Sequence, residues 1–539
     1  MMKVTTNLFF LLCFNLSAWS QVNSTWIERY TNTGNTDELI NDMKVDQQGN
    51  VYLTGSQKGP NQSMMEAITL KYDSKGTLLW SKNYQAYLKN GAFGKAIHVD
   101  KTGNVYVTGE TAIVSGGANE MLTIKYNRDG SLAWSNRFQY VNKFFTSGQD
   151  IVSDNDGNVY VAGEFFAGTH SDVLLVKINS SGALENQTVY HKASEGGRKI
   201  AIDKNGFILI AGFQNLSDST QYLALKYSPN LDLIWANAWV NSAMLLGNVQ
   251  VNDMDLDMAG DMIITGQINL DFGTIKLKNN DGSLIWANLY NQYNDVGRSV
   301  ETDIFNNVYI TGETGIAGDS FSYKMTTIKY NSNGDSLWVR TYNGGNQSDG
   351  YRSAAIALDD SNNVFIVGST HSNQDIATVK YSSKGDLLWA LNYDGSGNSM
   401  DAGVKLGTDA LGNVYIAGNS IGKNTGNDIA LLKYGNALNS IFDAETKCKQ
   451  GFELEQNHPN PVQNLTTIGY RVPDFARTSN LKIILSDMSG KVLKTLIAEK
   501  AIPGFYNFEM ETSQLESGIY RYHLEAGTIL LSKKMIIIR

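Results

Sequence analysis

Cysteine is almost missing from this chain: two residues in 539, Cys13 and Cys448. Cys13 falls in an N-terminal apolar stretch that reads as a removable leader, so the mature chain keeps one thiol and forms no intrachain disulfide. Stability must come from packing. Proline is scarce too, 6 residues against 51 glycines, which excludes a collagen-like chain. Charged residues are only 18% and hydrophobic residues 42%, so a disordered polyelectrolyte is excluded as well. There is no basic run, and 44 Lys+Arg against 53 Asp+Glu give a formal charge of −9, so neither a nucleic-acid backbone nor an anionic bilayer is expected as principal partner. Beyond residue 20 no apolar run approaches the about 20 residues of a membrane span. The six histidines (His98, His170, His191, His371, His458 and His523) show no helical metal spacing. No Gly-x-Ser-x-Gly, Walker or zinc pattern occurs either, so no catalytic residue, metal or cofactor is expected.

The first 20 residues have the layout of a secretory signal. Lys3 supplies the positive end, Leu8 to Leu16 the apolar segment, and Ala18-Trp19-Ser20 a small-x-small cleavage site before Gln21. Cys13 lacks the small residues that precede a lipidated cysteine, so export without a lipid anchor is expected.

Self-similarity dominates the chain from there to Tyr434. An Asp-x-x-Gly-Asn-Val-Tyr-x-x-Gly pattern begins at Asp46, Asp100, Asp154, Asp203, Asp257, Asp303, Asp359 and Asp409, about 52 residues apart on average. Within each unit the period is two, and four strands can be read. An inner strand leads to the Asp, and Val-Tyr-x-x forms the second. The third ends in Lys-Tyr, as at Lys125-Tyr126. The fourth begins at a Trp with an aromatic four residues on: Trp80/Tyr84, Trp134/Phe138, Trp235/Trp239, Trp286/Tyr290, Trp338/Tyr342 and Trp389/Tyr393. The third unit has Asn186/Tyr190 instead. The eighth unit stops after Lys433-Tyr434, while Trp26 and Tyr30 carry the missing fourth-strand spacing at the opposite end of the chain. The expected fold is therefore all-β: residues 21–440 form an eight-bladed β-propeller whose N-terminal strand closes the last blade, leaving no open sheet edge. The Asp-x-x-Gly-Asn-Val-Tyr and Gly-x-Leu-x-Trp signatures resemble the bacterial SBBP propeller repeat, a resemblance that implies architecture and no particular reaction. The Gly-x-Leu-x-Trp endings are also similar to the docking repeats of eight-bladed pyrroloquinoline quinone dehydrogenases. Those enzymes imply a calcium site and commonly a vicinal disulfide, and this chain has no matching ligand set and one mature cysteine.

After Tyr434 the period fails. Residues 441–455 read as a linker and 456–539 as a small antiparallel β-sandwich. The second module carries Asn457-His458-Pro459-Asn460-Pro461, a turn from Asp487 to Gly490 and Lys491, Gly518-Ile519-Tyr520, and a final Lys533-Lys534-Met535. In that order these motifs closely resemble the type A C-terminal sorting domain of type IX secretion. The resemblance implies a Gram-negative cell, passage through the periplasm, the type IX machinery as partner, and release or attachment at the outer-membrane surface.

Candidate sites are weaker. Asp154-x-Asp156-Gly157-Asn158 resembles the start of a calcium loop but lacks the terminal Glu, and reads as a turn cap. Asp253, Asp255 and Asp257 alternate in one inner strand, where Asp253 and Asp255 share a face and could bind a cation or sugar or act as an acid/base pair. Variable connections on one rim carry recognition in such scaffolds. The candidates are 56–66, 110–120 with Glu110, 164–171 with Phe165 and Phe166, 313–323 with Glu313, and 140–145. A monomeric, non-enzymatic module recognising a glycan or a protein is expected. Its alternatives are a carbohydrate-active hydrolase or lyase with carboxylates at the channel mouth, and a structural surface protein.

Overall fold

The computed structural model describes residues 24–435 and 453–538, apart from 33–35, 60–63, 86–90, 113–118, 141–144, 218, 240–248, 317–318, 345–349, 371–373, 455, 458, 473–479, 488–490, 501–503 and 527–528. The leader, Cys13, Cys448, Gly490 and most of the linker lie outside the described residues. The chain divides into two compact units, 1–436 and 437–539. All described regular structure is strand.

The first unit holds eight four-stranded antiparallel sheets, one per sequence repeat. Their inner strands are Glu38–Val45, Ala92–Val99, Phe145–Ser153, Ser194–Ile202, Val249–Leu256, Asp295–Thr302, Tyr351–Leu358 and Asp401–Thr408. The short turn after each is built by its aspartate. In the second sheet Asp100 Oδ1 accepts the Thr102 and Asn104 N–H groups at 2.9 Å, and Oδ2 accepts Asn104 Nδ2 at 2.8 Å and the Tyr106 hydroxyl at 3.0 Å. Gly103 sits at φ +86° between them. Asp, Gly, Asn and Tyr recur together because the carboxylate takes the Asn and Tyr donors while the Gly, at positive φ, donates to the aspartate's own carbonyl at 2.9 Å.

The last glycine of the motif answers a different constraint. Each inner strand bulges by one residue opposite it, for example between Gly94 and Ala96. A Cβ on Gly109 would stand 1.9 Å from Phe93 O, and one on Gly55 would stand 1.9 Å from Leu39 O. The third-strand lysine lies over the second-strand aromatic, Lys125 over Tyr106 at 5.1 Å and Lys433 over Tyr415 at 4.9 Å. The fourth strand starts two residues before its Trp, as in Leu132–Phe138, because the third-to-fourth turn closes earlier than the aromatic spacing suggests.

Tryptophan joins most sheets to the next; at the end of the third sheet Asn186 takes its place and donates Nδ2–H to Asn230 O at 2.6 Å. Trp80 packs over Gly130 in the following sheet's third-to-fourth turn and donates Nε1–H to Arg128 O at 3.4 Å. Trp134, Trp235, Trp286 and Trp338 do the same to Ser180, Asn279, Ser332 and Ser383. The matching acceptor for Trp389 would be on Asn436, outside the described residues. The strand Ser24–Tyr30 pairs antiparallel with Gly426–Tyr434 and becomes the fourth strand of the eighth sheet. From there Trp26 covers Gly76 of the first sheet and donates to Ser74 O at 3.2 Å, and Lys433 donates to the same carbonyl at 2.9 Å. The eighth-to-first junction thus repeats the contacts of the others. One cavity is lined by inner-strand residues of all eight sheets.

In the second unit, Glu453–Leu454, Leu465–Val472 and Gly504–Glu511 form one sheet, and four strands, Asn480–Asp487, Val492–Lys500, Gly518–Ala526 and Ile529–Ile537, form another. The first of these strands begins inside the stretch expected as linker. Ile468, Ile483, Leu485, Tyr522, Leu524 and Met535 are buried in its core. Asn457 is buried, with its N–H on Tyr522 Oη at 2.7 Å and Nδ2 on Pro459 O at 3.0 Å and Thr466 Oγ1 at 2.9 Å. Asn460 Oδ1 accepts the Ile536 N–H at 2.8 Å, so Asn460 ties the Asn-x-Pro-Asn-Pro segment, with Pro459 and Pro461, to the strand bearing Lys533 and Lys534, while Asn457 ties it to Tyr522 and Thr466. Asp487 Oδ1 caps its own turn through the Lys491 N–H at 2.9 Å. Gly518 opens the strand paired with that last one.

Trp26 and Trp80 occupy equivalent half-buried seats, so Trp26→Ala and Trp80→Ala should each cost about 2–3 kcal/mol of stability, below the range for a fully buried Trp. Urea unfolding of both variants checks this. No loss for Trp26→Ala beside a clear loss for Trp80→Ala would detach the first strand from the array.

Candidate functional site: a charged channel and its loop-bearing end

The bulge sets which side chains face the central cavity, whose volume is about 410 Å³. The residue just after each bulge gives one ring: Asp42, Ala96, Asp150, Lys199, Asp253, Ser299, Ala355 and Lys405. Two residues on, nearer the short turns, lies a second ring that includes Lys44, His98, Asp255 and Glu301. Asp253 and Asp255 therefore share a face, as alternation requires. Asp257 does not join them: the strand ends at Leu256, and Asp257 caps the turn through the Ala259 and Asp261 N–H groups. Asp154 likewise spends its carboxylate on the Asp156 and Asn158 N–H groups.

Most channel charges are engaged. Lys199 Nζ lies 3.3 Å from Asp253 Oδ1, and Lys405 Nζ lies 3.6 Å from Asp42 Oδ1. The second oxygens clasp the next sheet: Asp42 accepts the Ile97 N–H at 3.0 Å, Asp150 the Ile200 N–H at 3.1 Å, and Asp253 the Val300 N–H at 3.1 Å. Burial pushes Asp42 and Asp253 upward, but Lys405 and Lys44 around Asp42, and Lys199 and Lys405 around Asp253, outweigh it and hold both below the usual range. Asp255 behaves oppositely. Burial pushes it up to about 6 against its bonds from Thr302, and Glu301 rises well above its ordinary value through burial and the adjacent Asp255. Burial and Lys44 push His98 down to about 4, so it is neutral.

The opposite end of the inner strands bears the variable connections. Here the extra residue of the bulge is Lys95, Arg198 or Arg298 in the second, fourth and sixth sheets. Each head group is half-buried and backed by a more buried carboxylate: Lys95–Glu110 at 2.9 Å, Arg198–Glu164 at 2.9 Å and Arg298–Glu313 at 3.2 Å. Sequence reasoning placed Glu110, Glu313, Phe165 and Phe166 on loops. All four instead lie in second strands, Val105–Ala112, Val308–Ile316 and Val159–Phe166, because pairing continues past the motif glycine through polar residues. Phe165 is 5% exposed, packed in the core and edge-on to Tyr140 at 4.9 Å, so it offers no ligand surface. Phe166, 41% exposed, remains open. The three cations were missed, and their position at the bulge, directly after Gly94, Gly197 or Gly297 of the inner strand, was the available signal.

At this end buried carboxylates meet across three sheet junctions, Glu38 with Asp428, Asp295 with Asp271 and Asp375 with Asp401, and at a fourth the buried Glu195 and Asp172 both act on His191. Glu38, Asp295 and Asp401 each leave one oxygen without a hydrogen bond. Burial, with Asp428 and Asp37 nearby, pushes Glu38 up to about 8.

Residues 457–538 match the secretion system C-terminal sorting domain. No curated protein matches the chain. Among solved structures, Sqt1 from Chaetomium thermophilum is 8% identical, the alignment covering 76% of this chain and 100% of that one at a TM-score of 0.47. The polysaccharide lyase Uly1 is 9% identical over 66% of this chain and 92% of its own, at 0.41. The β-propeller domain of the Trilobed protease from Pyrococcus furiosus is 7% identical over 73% and 92%, at 0.37. At such identities and scores these likenesses carry no argument about activity.

Because folded Glu38 keeps a proton that the unfolded chain releases above about 4.5, its contribution to stability should be complete below that pH. It should fall away as pH climbs towards 8. Glu38→Gln, neutral throughout, should flatten this part of the profile in thermal melts from pH 4.5 to 9. An identical slope in both proteins would contradict the assignment.

Proposed function

We propose that this chain is an exported, closed eight-bladed β-propeller that recognises an acidic glycan or acidic protein surface through its loop-bearing end, with residues 457–538 acting as the handle for type IX secretion. The propeller of the proposal is of SBBP type, reaching the outer-membrane surface or the medium after a leader-directed step into the periplasm. The match to a secretion sorting domain supports the route. The observation that carries the recognition reading is the alternate-sheet set of Lys95, Arg198 and Arg298, each oriented by a Glu more buried than itself with its head group partly in water. Guanidinium and ammonium groups held this way meet carboxylate or sulfate ligands at low ordering cost.

A second reading has one observation in its favour. Asp255 and Glu301, raised in pKa beside the ionised Asp253, could divide acid and base roles in a hydrolase or lyase. They lie towards the short-turn ends of the inner strands, away from the variable connections, which favours recognition over catalysis.

Binding arrays of acidic and neutral polysaccharides should return acidic ligands only. The triple variant Lys95→Gln, Arg198→Gln, Arg298→Gln should lose at least about tenfold in affinity, as charged hydrogen bonds of this kind contribute about 1.5–3 kcal/mol each. Asp253→Asn with Asp255→Asn should leave binding intact. Polysaccharide cleavage that vanishes in the Asp variant would instead establish the enzyme, and an array without any ligand would favour a structural surface protein. Cells making the chain truncated at residue 436 should retain it in the periplasm; its normal appearance outside would remove the sorting role.

A further inference from the structure

Two histidines that no local motif connects meet on one buried carboxylate. His170 immediately precedes the third strand of the third sheet, Ser171–Ile178, and His191 immediately follows the fourth, Leu184–Tyr190. The register Val173 to Tyr190 brings Asp172 opposite His191. The two imidazoles lie 4.7 Å apart between centroids, at 40°. His191 Nδ1 is 2.7 Å from Asp172 Oδ1, and His170 Nε2 is 3.7 Å from Asp172 Oδ2. One donor atom from each of the three residues falls within 4.8 Å of the others.

The site is held from behind. Glu195, fully buried, takes the N–H groups of Lys192 and Ala193, fixing the chain just beyond His191. Thr169 Oγ1 lies 3.0 Å from His170 Nδ1. When that nitrogen donates to the hydroxyl, the Nε2 lone pair faces the Asp172 carboxylate, an arrangement that calls for a cation between them. A divalent ion accepts both nitrogen lone pairs and the carboxylate together. Two imidazoles and one carboxylate suit zinc-type ions over calcium or magnesium, which prefer all-oxygen shells. The positions of Asp172 and His191 hold Glu66 and Gln85 in the first sheet and Asp375 and Asp394 in the seventh, so the histidine is particular to the third.

We propose that His170 Nε2, one Asp172 oxygen and His191 Nδ1 form a divalent transition-metal site of zinc type, open to solvent on its remaining side. The site joins the third-to-fourth sheet junction at the loop-bearing end, and it stands independently of the recognition reading, since its donors exclude the three cations used there.

Tag-free full-length chain, stripped with chelator, should bind one equivalent of Zn²⁺ by calorimetry, with Ca²⁺ failing to compete. His170→Ala and His191→Ala should each weaken binding at least about tenfold, the scale on which metal sites respond to lost supporting groups. Both histidines are at the surface, so the variants should fold, which unchanged melting of the metal-free proteins verifies. Co²⁺ should give a visible absorption band in the parent chain that disappears in both variants. Zinc binding that survives the double replacement, or no stoichiometric binding at all, overturns the proposal.

Discussion

A tryptophan seated on a glycine turn holds this array together. The glycine of the third-to-fourth turn (Gly76, Gly130, Gly182, Gly282, Gly334 and Gly385) leaves room for the indole of the preceding sheet, and a carbonyl of the same turn takes the indole N–H; only the turn of the fourth sheet, which faces Asn186, departs from this among the described turns. Neither half works alone: a side chain on Gly130 would meet Trp80 at 2.7 Å, and without the ring the turn would offer its carbonyl to water. Repetition of this joint seats marginal four-stranded sheets, each unable to bury both faces alone, against their neighbours, with a buried apolar cluster between them. The strand Ser24–Tyr30 matters because it supplies the joint between the eighth sheet and the first.

Once the joints fix the sheets, the bulges fix the charges. One extra residue per inner strand turns the next side chain into the cavity and leaves the extra one near the loop-bearing end. The same backbone device thus separates the cavity-facing Asp and Lys from a set of glutamate-backed cations near the loop-bearing end. Channel carboxylates also accept N–H groups of the neighbouring sheet, so they serve cohesion as well as polarity. Exposed groups at that end can then vary without disturbing the joints.

Much of this was readable from residue order. The Asp-x-x-Gly-Asn-Val-Tyr run encodes a turn whose hydrogen bonds are local, so the count of sheets and the position of their turns came directly from it. Trp26 and Tyr30 revealed the displaced strand because their spacing matched that of the other fourth strands. What could not be read depended on register between strands. Glu110 and Glu313 look like loop residues, since polar residues at strand ends give no periodic signal, yet each pairs with a cation supplied by the bulge. Phe165 looked available because an aromatic near a turn resembles a binding group, and only packing against Tyr140 buries it. His170 and His191 stand 21 positions apart, and nothing short of the hairpin register brings them to Asp172.

Amide hydrogen exchange of Trp26 to Tyr30 in the intact protein tests the central claim most directly. If this segment is the outer strand of the eighth sheet, its amides bonded to Gly426–Tyr434 will be protected to the same degree as those of Leu132–Phe138, the equivalent strand of the second sheet. Exchange at the rate of an unstructured peptide, with the other outer strands still protected, would contradict the joint between the last sheet and the first and the ring built on it.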